Sequence, residues 1–192
     1  MIEPKKSEMI DFLFTSKSIV FGFAVYEYIK IIALILKSKD FECFLTPPFI
    51  LSFACFLILL EVWWDSYIDR AYISKNFLWF FLFTLEPLSF YLIAILLTPA
   101  ISTIPFSQSL FIQNYFLHKN AIYIIGIFQL AVFISTSGLP LSDTLNLSRI
   151  VGILFFIILI IFSSAIVHYT LSIIVLILSI FFILTFCLKP SR

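Results

Sequence analysis

The chain has 192 residues, enough for one domain and little more. Its mean hydropathy of +1.13 and 62% hydrophobic residues lie far above the usual share for a water-soluble domain. It therefore reads as an all-α, polytopic membrane protein. A net charge of +1 excludes a strongly basic nucleic-acid surface.

The segment 1–17 mixes Lys5, Lys6 and Lys17 with Glu3, Glu8 and Asp11, and no small-residue cleavage site follows the first apolar run. That run is expected to remain as the first span, about 18–36, closed by Lys37, Ser38, Lys39 and Asp40. Pro47 and Pro48 open a second span, about 46–64, because proline is tolerated in a first helical turn. The third, about 77–97, ends at Thr98 and Pro99. Its length of about 31 Å matches the hydrocarbon thickness of a bilayer.

Between Gln108 and His118 the pattern is partly amphipathic, with Phe111, Ile112, Tyr115 and Phe116 on one helical face. This is either a short interfacial helix or an extension of the fourth span, about 121–136. Ser137, Gly138, Leu139 and Pro140 form a turn signal, after which Ser142 or Asp143 can cap a fifth span. From Val151 to Leu188 the chain is almost unbroken apolar. As one helix it would reach about 57 Å, near twice the bilayer core, so it must fold back. Ser163, Ser164, His168 and Tyr169 are the polar interruption and place the turn, giving spans of about 144–162 and 170–188.

Six crossings put both termini on one side. Lys5, Lys6, Lys17, Arg70, Lys75, Arg149, Lys189 and Arg192 fall there, against Lys37, Lys39 and Lys119 opposite, which favours cytoplasmic termini.

The residues that can carry chemistry are the polar ones at membrane depth. Glu86 sits mid-way along the third span, just before Pro87. A carboxylate at the bilayer centre costs at least ~2.5–3.5 kcal/mol on insertion scales. Glu86 is either an ion or proton site at a broken helix or a protonated acid hydrogen-bonded to a neighbour. Lys30, taken as the one cation within a span, is its expected partner. Glu27 and Lys30 lie three apart and meet on one helical face. Glu27, Lys30, Glu61 and Glu86 are the candidate polar pathway. Glu61, Asp65 and Asp69 recur every four residues, within about 80° on a helix. They form a candidate cation-attracting stripe near the belt residues Trp63, Trp64 and Tyr67. His118 and His168 have no partner at ligand spacing and read as interfacial. Spans five and six read as packing and lipid contact.

Cys43, Cys55 and Cys187 suit neither a disulfide framework nor a metal site, and no cofactor is implied. No serine-hydrolase, zinc-protease, potassium-filter or voltage-sensor motif occurs, so the chain is not expected to be an enzyme.

Three stretches carry a resemblance. They are Ile19-Val20-Phe21-Gly22-Phe23-Ala24, leading through Glu27; the double tryptophan in Glu61-Val62-Trp63-Trp64; and Tyr115-Phe116-Leu117-His118-Lys119. In order and spacing, over roughly residues 10–135, the chain resembles a group of small, uncharacterised bacterial membrane proteins with six predicted spans. The resemblance implies architecture and a bacterial inner membrane, not an activity. The group has a more basic first connection than Lys37 and Lys39 provide, which would place the termini outside. Two functional readings follow: a small channel or transporter-like protein for an ion or small solute, or a membrane anchor or interaction subunit. In both the surroundings are lipid, with a homo-oligomer or a partner membrane protein as possible assemblies.

Overall fold

The computed structural model describes residues 6–68, 77–99, 106–136, 140–142 and 144–187. Among them are six α-helices, one 3₁₀ turn and no strand. The helices are α1 (Lys6–Ser38), α2 (Pro47–Ile68), α3 (Phe77–Leu97), α4 (Gln108–Thr136), α5 (Thr144–Ile161) and α6 (Ala165–Cys187). The 3₁₀ turn is Phe41–Leu45, between α1 and α2. All six apolar runs are helical. Two helices, over Asp11–Ser38 and Gln108–Ser135, are long and apolar enough to cross a bilayer. The apolar parts of the other four are shorter.

Packing follows chain order only in part. The most extensive interfaces are α2 with α6, α1 with α3, α3 with α4, and α4 with α5. The sequential pair α5 and α6 touches little. The 162–164 linker therefore joins two helices that belong to different parts of the bundle.

One end of the bundle is tied by polar groups at helix termini, where backbone donors and acceptors lack intrahelical partners. The Asp40 carboxylate accepts the backbone N–H of Gln108 at 2.7 Å, capping α4 from across the bundle. Asn114 donates to the carbonyls of Leu96 and Leu97, at 2.9 and 3.3 Å, closing the end of α3. At the other end Arg149 donates to the Phe133 carbonyl of α4 at 3.2 Å and to Asn146 at 2.9 Å. Asn146, fully buried, donates to the Pro140 carbonyl.

Several boundaries differ from the sequence reading for physical reasons. Helix α1 starts at Lys6, well before the apolar run, because its early turns are held by tertiary contacts. Phe14 and Phe21 pack on Trp63 of α2, with ring centroids 5.1 and 4.5 Å away. Trp63 thus packs against α1. The amphipathic segment 108–118 is the start of α4, not a separate helix, and Phe111 and Tyr115 on its apolar face are fully buried. The turn before α6 is confined to 162–164, so His168 and Tyr169 are helical. Asp143, one of the two cap candidates for α5, lies outside the described residues.

Polarity is inverted relative to a water-soluble bundle. Large apolar side chains such as Phe23, Ile124, Leu154, Ile177 and Phe181 are exposed, while Lys17, Glu86, His168, Gln129 and Asn146 are buried. Lys17 and Arg149, counted above as connection charges, and Lys119 opposite are all engaged within the bundle. Removing them leaves the charge bias in the same direction.

The α4–α5 contact is close enough to need a glycine. A Cβ on Gly126 would meet the Phe156 ring at 2.6 Å, whereas one on Gly22 would meet nothing within 4 Å. Gly126→Ala should therefore lower the melting temperature in detergent, at a cost of about 1–3 kcal/mol from overpacking. Gly22→Ala, mid-helix and exposed, should raise it, by about 0.5–1 kcal/mol. Thermal melts of the two variants beside the native chain check both signs.

Candidate functional site

Two buried polar clusters stand out. The first joins α1 to α3. Lys17 Nζ lies 2.8 Å from Glu86 Oε2, with the two side chains 3% and 5% exposed. Burial on this scale removes nearly all hydration, which only close pairing and further hydrogen bonds can offset. Both residues have additional interactions. Nearby, the Tyr28 hydroxyl of α1 donates to the Phe90 carbonyl of α3 at 3.1 Å, one turn after Glu86. Pro87 lies inside α3 immediately beside the acid, where it supplies no backbone donor.

Glu86 thus faces the interior against the first helix, but its cation is Lys17, not Lys30. Lys17 precedes the apolar run and was assigned to the tail; the longer α1 carries it into the bundle. Lys30 instead pairs with Glu27 at 3.1 Å, one turn apart on α1 and more exposed, with side chains 27% and 12% accessible.

Glu61 is half-buried on α2 and has interactions of its own. Asp65 lies near the end of α2, and Asp69 lies outside the described residues. A cavity of about 10 Å³ between α1 and α2 is lined by Tyr28, Ile29, Ile32, Phe49, Ser52, Phe53 and Phe56. Such a volume holds about one water. None of Glu27, Lys30, Glu61 and Glu86 lines it.

The second cluster joins α4 to α6. Tyr115, Lys119 and Tyr123 follow at four-residue spacing and so share one face of α4. His168 of α6 meets them there, fully buried. Its Nδ1 lies 2.7 Å from the Tyr115 hydroxyl and 2.8 Å from that of Tyr123. The two hydroxyls also contact each other. His168 Nε2 lies 2.9 Å from the Phe162 carbonyl, which is also reached by Lys119 Nζ at 3.3 Å. Lys119 donates further to Ser163 Oγ at 2.9 Å.

The carbonyl settles the tautomer. It can only accept, so Nε2 carries the proton and Nδ1 of the neutral ring accepts. Two hydroxyl protons then satisfy the cluster in series: one hydroxyl donates to Nδ1, the other to the first hydroxyl. The phenyl ring of Phe116 packs edge-on against the imidazole, with centroids 5.1 Å apart. His168 is therefore a core residue rather than an interfacial one, and α6 supplies more than packing. The available sequence signal was the four-residue repeat Tyr115, Lys119, Tyr123; its partner lies 45 residues beyond Tyr123 and shows no spacing rule.

Two other polar side chains are buried with no hydrogen-bond partner among the described residues, the Gln129 amide on α4 and the Ser172 hydroxyl one turn after His168. No three His, Cys, Asp or Glu side chains gather in metal-ligand fashion among the described residues. Comparison with known proteins finds no family model, no curated protein and no solved structure that matches this chain.

The Lys17–Glu86 pair makes a direct prediction. Lys17→Met removes one partner and strands a buried acid, which should cost about 3–5 kcal/mol. Lys17→Met combined with Glu86→Gln removes both charges and should recover most of that loss. Denaturation of the two variants in the same detergent checks the coupling.

Proposed function

We propose that the chain is a multi-pass integral membrane protein whose six helices all cross a bacterial inner membrane, with cytoplasmic termini. In this reading it is akin to the small six-span bacterial proteins that its motifs resemble. Its molecular role is that of a small channel or transporter-like protein for an ion or small solute, not an enzyme.

One observation carries the transport reading: a charged pair, Lys17–Glu86, is held in the interior of a bundle whose outer surface is apolar. Ionisable residues at membrane depth are costly and commonly serve a pathway. The exposed apolar side chains on α1, α4, α5 and α6 support the bilayer as surroundings. The 22% and 33% burial of the two longest apolar segments, on α1 and α4, supports it too.

A second reading has its own support. In the Lys17–Glu86 and Glu27–Lys30 pairs each carboxylate meets a lysine, and the small cavity is lined by none of the four. That suits an anchor or interaction subunit whose charges fix helix registry, with a second copy or another membrane protein as partner.

The two readings separate on Lys17→Met/Glu86→Gln, which removes the charges without stranding either. In proteoliposomes the native chain should relax an imposed ion or solute gradient, and this variant should not, although it folds. Flux through neither protein would favour the anchor reading, and equal, non-zero flux would overturn the role of the pair.

A further inference from the structure

The hydroxyl–hydroxyl–imidazole series ends at the bundle surface. Phe162, Ser163 and Ser164 of the α5–α6 linker are all exposed. His168 turns Nε2 toward that linker and Nδ1 toward the buried tyrosines. It is thus a bridge between a solvent-accessible segment and the interior.

Groups that hold exchangeable protons continue inward. Tyr28 of α1, Cys55 of α2 and Tyr115 and Tyr123 of α4 are buried in one core cluster. Tyr28 bonds the Phe90 carbonyl of α3, and Glu86 lies one turn before Phe90. The cavity of about 10 Å³ between α1 and α2 is too small for a hydrated ion or solute. A proton needs no such space, because it moves along hydrogen bonds.

Resting on the transport reading, we propose that the cargo is the proton, and that Tyr115, Tyr123 and His168 relay it between the buried core and the exposed 162–164 linker. The relay balances. One hydroxyl takes a proton from the core and passes its own to the second hydroxyl. The second passes its own to Nδ1, and Nε2 releases a proton at the linker. One proton enters, one leaves, and neither tyrosine is left charged. The ring then holds its proton on Nδ1, with bare Nε2 facing the Phe162 carbonyl. Two acceptors facing each other are unfavourable, so the ring swings to the exposed linker, gives its Nδ1 proton to water, takes one on Nε2 and returns, while the two hydroxyls turn back. Lys119, held on Phe162 and Ser163, is the one described cation in this cluster. It disfavours a lasting second positive charge on His168 and so keeps the ring a carrier rather than a trap.

The test uses the full chain in liposomes loaded with a pH-sensitive dye, with a potassium gradient and an ionophore setting the membrane potential. The native chain should pass protons, more slowly in D₂O. Tyr123→Phe removes one hydroxyl and keeps the ring packing. It should slow proton flux by roughly a hundredfold, the low end of what a positioned proton-transfer group contributes. Tyr115→Phe should do the same, so the test survives if either variant fails to fold, which melting curves report. Unchanged proton flux in a folded Tyr→Phe variant overturns the relay. Flux of potassium or a small neutral solute without proton flux overturns the choice of cargo while transport stands. Flux of neither overturns both.

Discussion

An apolar exterior leaves a charged side chain few places to go, and the interior of the bundle is the one this chain uses. That constraint accounts for the Lys17–Glu86 pair, and the pair accounts for much else. It extends the buried contacts of α1 past the start of its apolar run, to Lys17. It aligns α1 beside α3, although α2 intervenes in the chain. It also turns Glu86, at the proline-bearing turn of α3, away from the surface. Tyr28 on Phe90 repeats the α1–α3 contact with a neutral hydrogen bond. In a low-dielectric surrounding, each such bond is costly to leave unmade.

The same logic organises the other side of the bundle around α4. Its face of Tyr115, Lys119 and Tyr123 collects His168 from α6 and two groups from the α5–α6 linker. Because α5 packs on α4 and α6 on α2, that linker has no helix pair beneath it to hold its course. Lys119 and His168 both fasten it through the Phe162 carbonyl. A position that must be held by hydrogen bonds is also one where a proton can enter or leave. The cluster is therefore at once an element of stability and a candidate relay.

The helical elements were largely legible from hydropathy, and 77–97 coincides with α3 residue for residue. What hydropathy could not show was tertiary. Residues 6–17 are too polar to read as part of a span, yet Phe14 on Trp63 and Lys17 on Glu86 tie the end of that stretch to α2 and α3. Ser163 and Ser164 do mark the turn, but His168 and Tyr169, polar and adjacent, belong to the helix, since His168 finds its partners on α4 rather than in solvent. The Glu27–Lys30 pair was readable because three-residue spacing is local geometry. The Lys17–Glu86 and Tyr123–His168 contacts, separated by 69 and 45 residues, are consequences of packing order and leave no local pattern.

The account depends first on which surface meets lipid. A nitroxide label placed in turn at Phe23, Ile124, Leu154 and Ile177, exposed apolar positions on α1, α4, α5 and α6, measures this directly in a reconstituted bilayer. Each label should be relaxed by dissolved oxygen, which partitions into hydrocarbon, and little affected by a water-soluble nickel chelate. Strong relaxation by the chelate at these positions would show that water covers the apolar faces, and would contradict a membrane-embedded bundle with a polar interior.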